Sequence, residues 1–106
     1  MLTASPALAH AFLERASPRV GSALAAAPRE VHLYFSEPVE PLFTRIEVRD
    51  ASGARMDRGG LAVTGGGTEA AIGLIALPDG VYTVEWHATS VDMHRSEGQF
   101  RFIVGP

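Results

Sequence analysis

The sequence predicts an all-β fold, a seven-stranded antiparallel Greek-key β-sandwich, on three observations. Four segments alternate apolar and polar residues at the two-residue period of a strand. Three weaker stretches of the same kind lie between them. Turn signals separate these runs, drawing on eleven glycines and seven prolines. Short strands at such spacing describe a sandwich or a barrel, and a sandwich is the expectation here.

Taken in order, residues 12–16 form the first candidate strand, closed by Ser17-Pro18. Residues 20–27 (VGSALAAA) have some helix propensity, but the run is short, holds Gly21 and stops at Pro28. They read as a loop or a single turn. Val31–Phe35 puts Val31, Leu33 and Phe35 on one face, with His32 and Tyr34 on the other. Thr44–Arg49 repeats the alternation with Ile46 and Val48 inward, and Asp50-Ala51-Ser52-Gly53 turns the chain. Residues 61–63 and 69–75 are weaker strands, set apart by Gly65-Gly66-Gly67. Pro78-Asp79-Gly80 then leads into Val81–Trp86, with Tyr82, Val84 and Trp86 on one face. Gln99–Val104 closes the fold, with Phe100, Phe102 and Val104 inward. Trp86 and the phenylalanines are expected in the core.

A chain of 106 residues is one domain's worth, and 46% hydrophobic with 20% charged residues excludes a wholly disordered chain. The net charge of −3 argues against binding nucleic acid through phosphate neutralisation. No apolar run approaches the roughly 20 residues of a spanning helix. The absence of cysteine removes disulfides, thiolate metal sites and cysteine nucleophiles together. Residues 1–9 read differently from the rest. They carry no charge and end in Ala7-Leu8-Ala9, the A-x-A pattern that signal peptidase cuts after. They are expected to be the remnant of an export signal cleaved after Ala9, leaving a single domain over 10–106.

The residues that carry chemistry lie at the two ends of that domain. Asp92-x-His94, in the polar connection between the last two strong strands, sets a carboxylate and an imidazole two residues apart. In an extended segment both point to one side and suit two positions on one metal ion. Cleavage after Ala9 would expose His10, whose α-amine and imidazole close a chelate ring on one ion. Together these groups supply three nitrogens and one oxygen, a set that suits tetragonal Cu(II). Zinc would accept the same ligands as a tetrahedron. His32 and His87 fall on outward strand faces and read as surface histidines.

The sequence resembles the CopC family of periplasmic copper-resistance proteins across residues 10–105. The matching pieces are His10-Ala11-Phe12-Leu13, Ala16-Ser17-Pro18 and the Gly21 turn, then Pro28-Arg29-Glu30-Val31 and Leu33-Tyr34-Phe35-Ser36-Glu37-Pro38. They continue with Gly80–Trp86 and with Ser90-Val91-Asp92-Met93-His94-Arg95-Ser96-Glu97-Gly98 before Phe100-Arg101-Phe102. The resemblance implies a Cu(II)-carrying sandwich whose ligands carry over onto His10, Asp92 and His94. It makes Glu37 a weak ligand or a carboxylate just outside the ligand set. It also implies an inner-membrane partner of the CopD type. Some members hold Cu(I) in a loop of several methionines, whereas this chain has only Met1, Met56 and Met93. One Cu(II) per chain and no dedicated Cu(I) site are therefore expected.

The expectation is thus a monomeric, non-enzymatic periplasmic protein that sequesters or delivers copper, built as an immunoglobulin-like or cupredoxin-like sandwich. Two other readings stand beside it. One is an oxidative enzyme with the copper brace of polysaccharide mono-oxygenases, in which Asp92 would fill a position such an enzyme keeps open. The other is a metal-free interaction module, in which Asp92-Met93-His94 is only a polar turn.

Overall fold

The computed structural model describes residues 12–106. Eight strands follow one another: β1 (Leu13–Ser17), β2 (Ala23–Leu24), β3 (Glu30–Phe35), β4 (Arg45–Arg49), β5 (Ala62–Thr64), β6 (Glu69–Gly73), β7 (Gly80–Thr89) and β8 (Arg95–Val104). They form two four-stranded sheets, ordered β1-β3-β6-β5 and β2-β8-β7-β4. The predicted class holds, and the seven expected strands are all present. The eighth, β2, lies in the segment read as a loop or turn. It is two residues long and pairs in parallel with Ile103 and Val104, the one exception to antiparallel pairing among the described residues. Such a strand is made by its neighbour: Ile103 N–H donates to Ser22 C=O and Gly105 N–H to Leu24 C=O, both at 2.8 Å.

Alternation does what the pattern requires. Val31, Leu33 and Phe35 of β3, Ile46 and Val48 of β4, Tyr82, Val84 and Trp86 of β7, and Phe100, Phe102 and Val104 of β8 all face the space between the sheets and are buried. Phe35 meets Trp86 edge to face with ring centroids 5.4 Å apart, and Tyr82 stacks on Phe102 at 5.5 Å. Gly98 is required beside Trp86, because a Cβ there would lie 2.9 Å from the indole ring. Two phenylalanines depart from expectation. Phe43 is exposed and Phe12 sits at the edge of exposure, because neither belongs to a striped strand face.

The long β7–β8 hairpin carries Asp92 and His94 at its tip. It pairs in unbroken register from Gly80↔Val104 to Thr89↔Arg95, so residues 90–94 are its tip. A strap at 38–40 fixes that tip. Val91 N–H donates to Pro38 C=O at 3.1 Å, Glu40 N–H donates to Thr89 C=O at 2.8 Å, and Val39 bridges Ser90. Gly67 in turn seats the strap: its backbone stands at φ +100°, and its carbonyl accepts from Val39 N–H at 2.8 Å. A Cβ at Gly67 would meet that of Pro38 at 2.9 Å.

Candidate metal centre

Asp92 and His94 come together on the hairpin tip. Asp92 Oδ1 lies 3.1 Å from His94 Nδ1, and the two side chains are 54% and 52% exposed. Two donors about 2.0–2.2 Å from one ion, at a right angle, stand about 3 Å apart. The observed separation therefore fits neighbouring positions on a single divalent ion with little rearrangement. Met93 between them has φ +71°, the only positive φ outside glycine among the described residues. That turn lets residues 92 and 94 face one another while Met93 projects away.

Ser90 is the organising residue that sequence reasoning missed. It is fully buried at the end of β7. Its hydroxyl donates to Asp92 Oδ1 and accepts from His94 N–H at 3.3 Å. Its own N–H donates to His94 C=O at 2.8 Å, and its carbonyl accepts from Met93 N–H at 2.8 Å. One buried residue thus fixes both members of the pair. The Ser90 hydroxyl, and then the His94 imidazole, hold the Asp92 carboxyl below its ordinary range. A serine two residues before the aspartate was the available signal, the spacing at which a side-chain hydroxyl closes a local turn.

Glu37 is partly exposed and directly precedes Pro38, whose carbonyl holds Val91, so it stands at the same end as the pair. His10 lies outside the described residues. Phe12 is bonded twice to Ser36: its N–H donates to Ser36 Oγ at 3.1 Å, and its carbonyl accepts from Ser36 N–H at 2.9 Å. Among the described residues no group of three or more histidine, aspartate or glutamate side chains is arranged to hold a metal ion.

The other two histidines are engaged elsewhere. His32 bridges Glu30 at 2.7 Å and Glu69 at 2.9 Å through its two ring nitrogens. The Glu69 carboxylate raises its pKa against the opposing effect of burial, with Glu30 adding to the rise. His87 lies between Glu85 at 3.1 Å and Glu97 at 3.2 Å in the same way. In each case the carboxylates sit at opposite ring nitrogens, so they flank the imidazole and do not converge on one ion. Both are surface ion-pair residues, as their strand positions predict. Met56 packs against the core from the 50–60 loop.

Residues 13–105 match the family model of the CopC domain. The chain belongs to the CopC family. It is 34% identical over 99 residues to the copper transport protein CutJ of Bacillus subtilis, covering 92% of this chain and 18% of CutJ. The chain therefore spans less than a fifth of that relative. Protein YobA of Escherichia coli is 31% identical over 100 residues, 91% of this chain and 79% of YobA. Among solved structures, CopC from Methylosinus trichosporium OB3b superposes with a TM-score of 0.80 at 32% identity, covering 92% of this chain and 95% of that one. PcoC, described as a methionine-rich copper resistance protein from Escherichia coli, gives 0.78 at 30% identity, covering 90% and 98%. The CopC fold thus accounts for nearly the whole chain, including the hairpin tip and its strap. Among the described residues no helix is long and apolar enough to cross a membrane.

Proposed function

We propose that this CopC-family chain binds one Cu(II) ion as cargo and sequesters or delivers it, without transforming a substrate. The ligands are the α-amine and imidazole of His10, the Asp92 carboxylate and the His94 imidazole, with Glu37 a weak ligand or a nearby carboxylate. The observation that carries this reading is the Asp92–His94 pair, set 3.1 Å apart on an exposed tip and held there by Ser90. Chain reach supports the rest. His10 is two residues from Phe12, a span of at most about 7 Å. Phe12 is bonded to Ser36, and Pro38 is bonded to the tip.

Three nitrogens and one oxygen suit tetragonal Cu(II) better than the softer Cu(I), which prefers thioethers. PcoC is described as methionine-rich. This chain has three methionines, and Met56 is packed against the core, so no dedicated Cu(I) site is part of the proposal. The amine becomes a ligand only after cleavage following Ala9, which makes export to the periplasm and removal of residues 1–9 part of the same reading. The domain then covers 10–106. A monomer that passes copper to a CopD-type protein of the inner membrane completes it.

The test is a Cu(II) titration followed by electron paramagnetic resonance on two proteins, one beginning at His10 and one retaining Met1–Ala9. Tight one-to-one binding with a nitrogen-rich tetragonal spectrum only in the first is expected. Equal binding by both would remove the amine from the ligand set. No specific binding by either, or copper binding unchanged in a stable His94→Ala variant, would overturn the proposal.

A further inference from the structure

The end of the sandwich that carries Asp92 and His94 also displays large apolar side chains. Leu42 is 88% exposed and Phe43 58%, both in a single 3-10 turn at Pro41–Phe43, and Met93 on the hairpin tip is 60% exposed. The backbone that carries them is held in place. Phe43 N–H donates to Glu40 C=O at 3.1 Å, and Thr89 Oγ1 donates to Phe43 C=O at 3.0 Å, which ties the turn to β7. Met93 is fixed outward by its positive φ and its bond to Ser90. Apolar side chains presented to water on a fixed backbone cost a partner no main-chain ordering when they are covered, which suits an interface anchor.

The sheet order β8-β7-β4 sets the Pro41–Phe43 turn on the β4 side and the tip on the β8 side, with β7 between them. Together they bound a groove of about 440 Å³ with His87 on its surface. Two cations line it, Arg45 and Arg95. The ion pair of Arg45 is a long one, to Glu47 at 3.7 Å, and among the described residues Arg95 forms no ion pair. Glu97, also in the groove, is drawn to His87 at 3.2 Å.

We propose that this groove docks a protein segment presenting an apolar side chain beside a carboxylate. The apolar group packs against Leu42, Phe43 and Met93, and the carboxylate is taken by Arg45 and Arg95. The two arginines beside the apolar side chains supply the local charge complementarity for a carboxylate, and the concave shape fits a short peptide segment, not a flat lipid surface. The proposal does not rest on the copper reading: neither Asp92 nor His94 lines the groove, which takes from that tip only Met93, between them, and the neighbouring Arg95.

The test uses the metal-free full chain, labelled with 15N, and two peptides acetylated at the N-terminus and amidated at the C-terminus, Glu-Phe-Leu-Glu and Lys-Phe-Leu-Lys. The acidic peptide is expected to shift the amides of Leu42, Phe43, Thr89 and Met93 saturably, and the basic one to bind about tenfold more weakly. A Leu42→Ser/Phe43→Ser double variant, altered only at exposed side chains, should keep the rest of the spectrum and lose the response. Equal response to both peptides, or saturable shifts elsewhere, would overturn the proposal. So would shifts of the groove amides that grow with protein concentration alone, or that appear with phosphatidylglycerol vesicles and with neither peptide.

Discussion

Ser90 decides how well the Asp92–His94 pair is made. Its hydroxyl fixes the carboxylate and its backbone fixes the loop, so the two functions separate on substitution. Ser90→Ala should leave the fold intact and lower Cu(II) affinity about 10–100-fold, the usual cost of losing a partner that orients a ligand. Isothermal titration calorimetry on the protein beginning at His10 would measure it. Acid acts on different atoms. In the proposed ligand set, protons would compete with the ion for the imidazoles and the amine, whereas Ser90 and His94 keep the Asp92 carboxyl ionised below its ordinary range. Affinity should therefore fall as pH drops below about 6, near the histidine reference value, with the carboxylate still charged. Affinity unchanged at pH 5 would count against these nitrogens. The pair itself was legible in the sequence as D-x-H. Ser90 was open to reading but went unread: it continues the inward register of Tyr82, Val84, Trp86 and Ala88 and stands two residues before the aspartate, yet a serine on an apolar stripe does not announce itself as part of a site.

The elements separate into those written locally and those imposed from outside. β3, β4, β7 and β8 announce themselves by alternation, because one face of each is buried and the other is wet. β2 has no such signal. Its two residues are extended only because the end of β8 offers them backbone partners. The Pro41–Phe43 turn was likewise unread, and with it the exposure of Phe43, since a phenylalanine off a striped face obeys no burial rule. The loop after β4 is organised by one carboxylate. Asp57, 1% exposed, accepts from Val48 N–H at 2.9 Å, from Gly59 N–H at 3.1 Å and from Arg55 at 2.8 Å. Burial pushes its carboxyl up, but the Arg55 guanidinium and these N–H groups outweigh it and hold it low. Its stabilisation is thus fully present above the unfolded value near 4 and is lost as pH falls through the lower folded value. Asp57→Asn should cost about 2 kcal/mol at neutral pH and flatten the acid limb of the stability curve. Urea melts of both proteins between pH 3 and 7 would check this.

At the scale of the molecule, the fold is held by packing and hydrogen bonds, with no cysteine to staple it. Phe102 is fully buried between the sheets and stacked on Tyr82. Phe102→Ala should destabilise by about 3–5 kcal/mol, a large share of the 5–15 kcal/mol typical of a domain. The midpoint of chemical denaturation, followed by far-ultraviolet circular dichroism, would shift down with its slope unchanged. What the whole molecule adds is convergence. The β7–β8 tip, the 38–40 strap and the start of β1 meet at one end, although Ser36 and Phe12 are 24 residues apart and Pro38 and Val91 more than twice that. No local pattern encodes that meeting. It became visible beforehand only through resemblance to a family that already has it.

The packing of Trp86 against Gly98 and Phe35 has an optical consequence. Trp86 is the chain's single tryptophan, so every photon of indole emission comes from one place, deep on the strand that leads to the hairpin tip. Enclosed by the core, that indole should emit toward the blue, and release into water would move its emission to the red. Cu(II) is paramagnetic and absorbs weakly in the visible, which makes it a quencher of nearby excited states. The protein thus carries its own lamp: loss of intensity at constant wavelength would report the ion arriving, and a change of colour would report the sandwich coming apart.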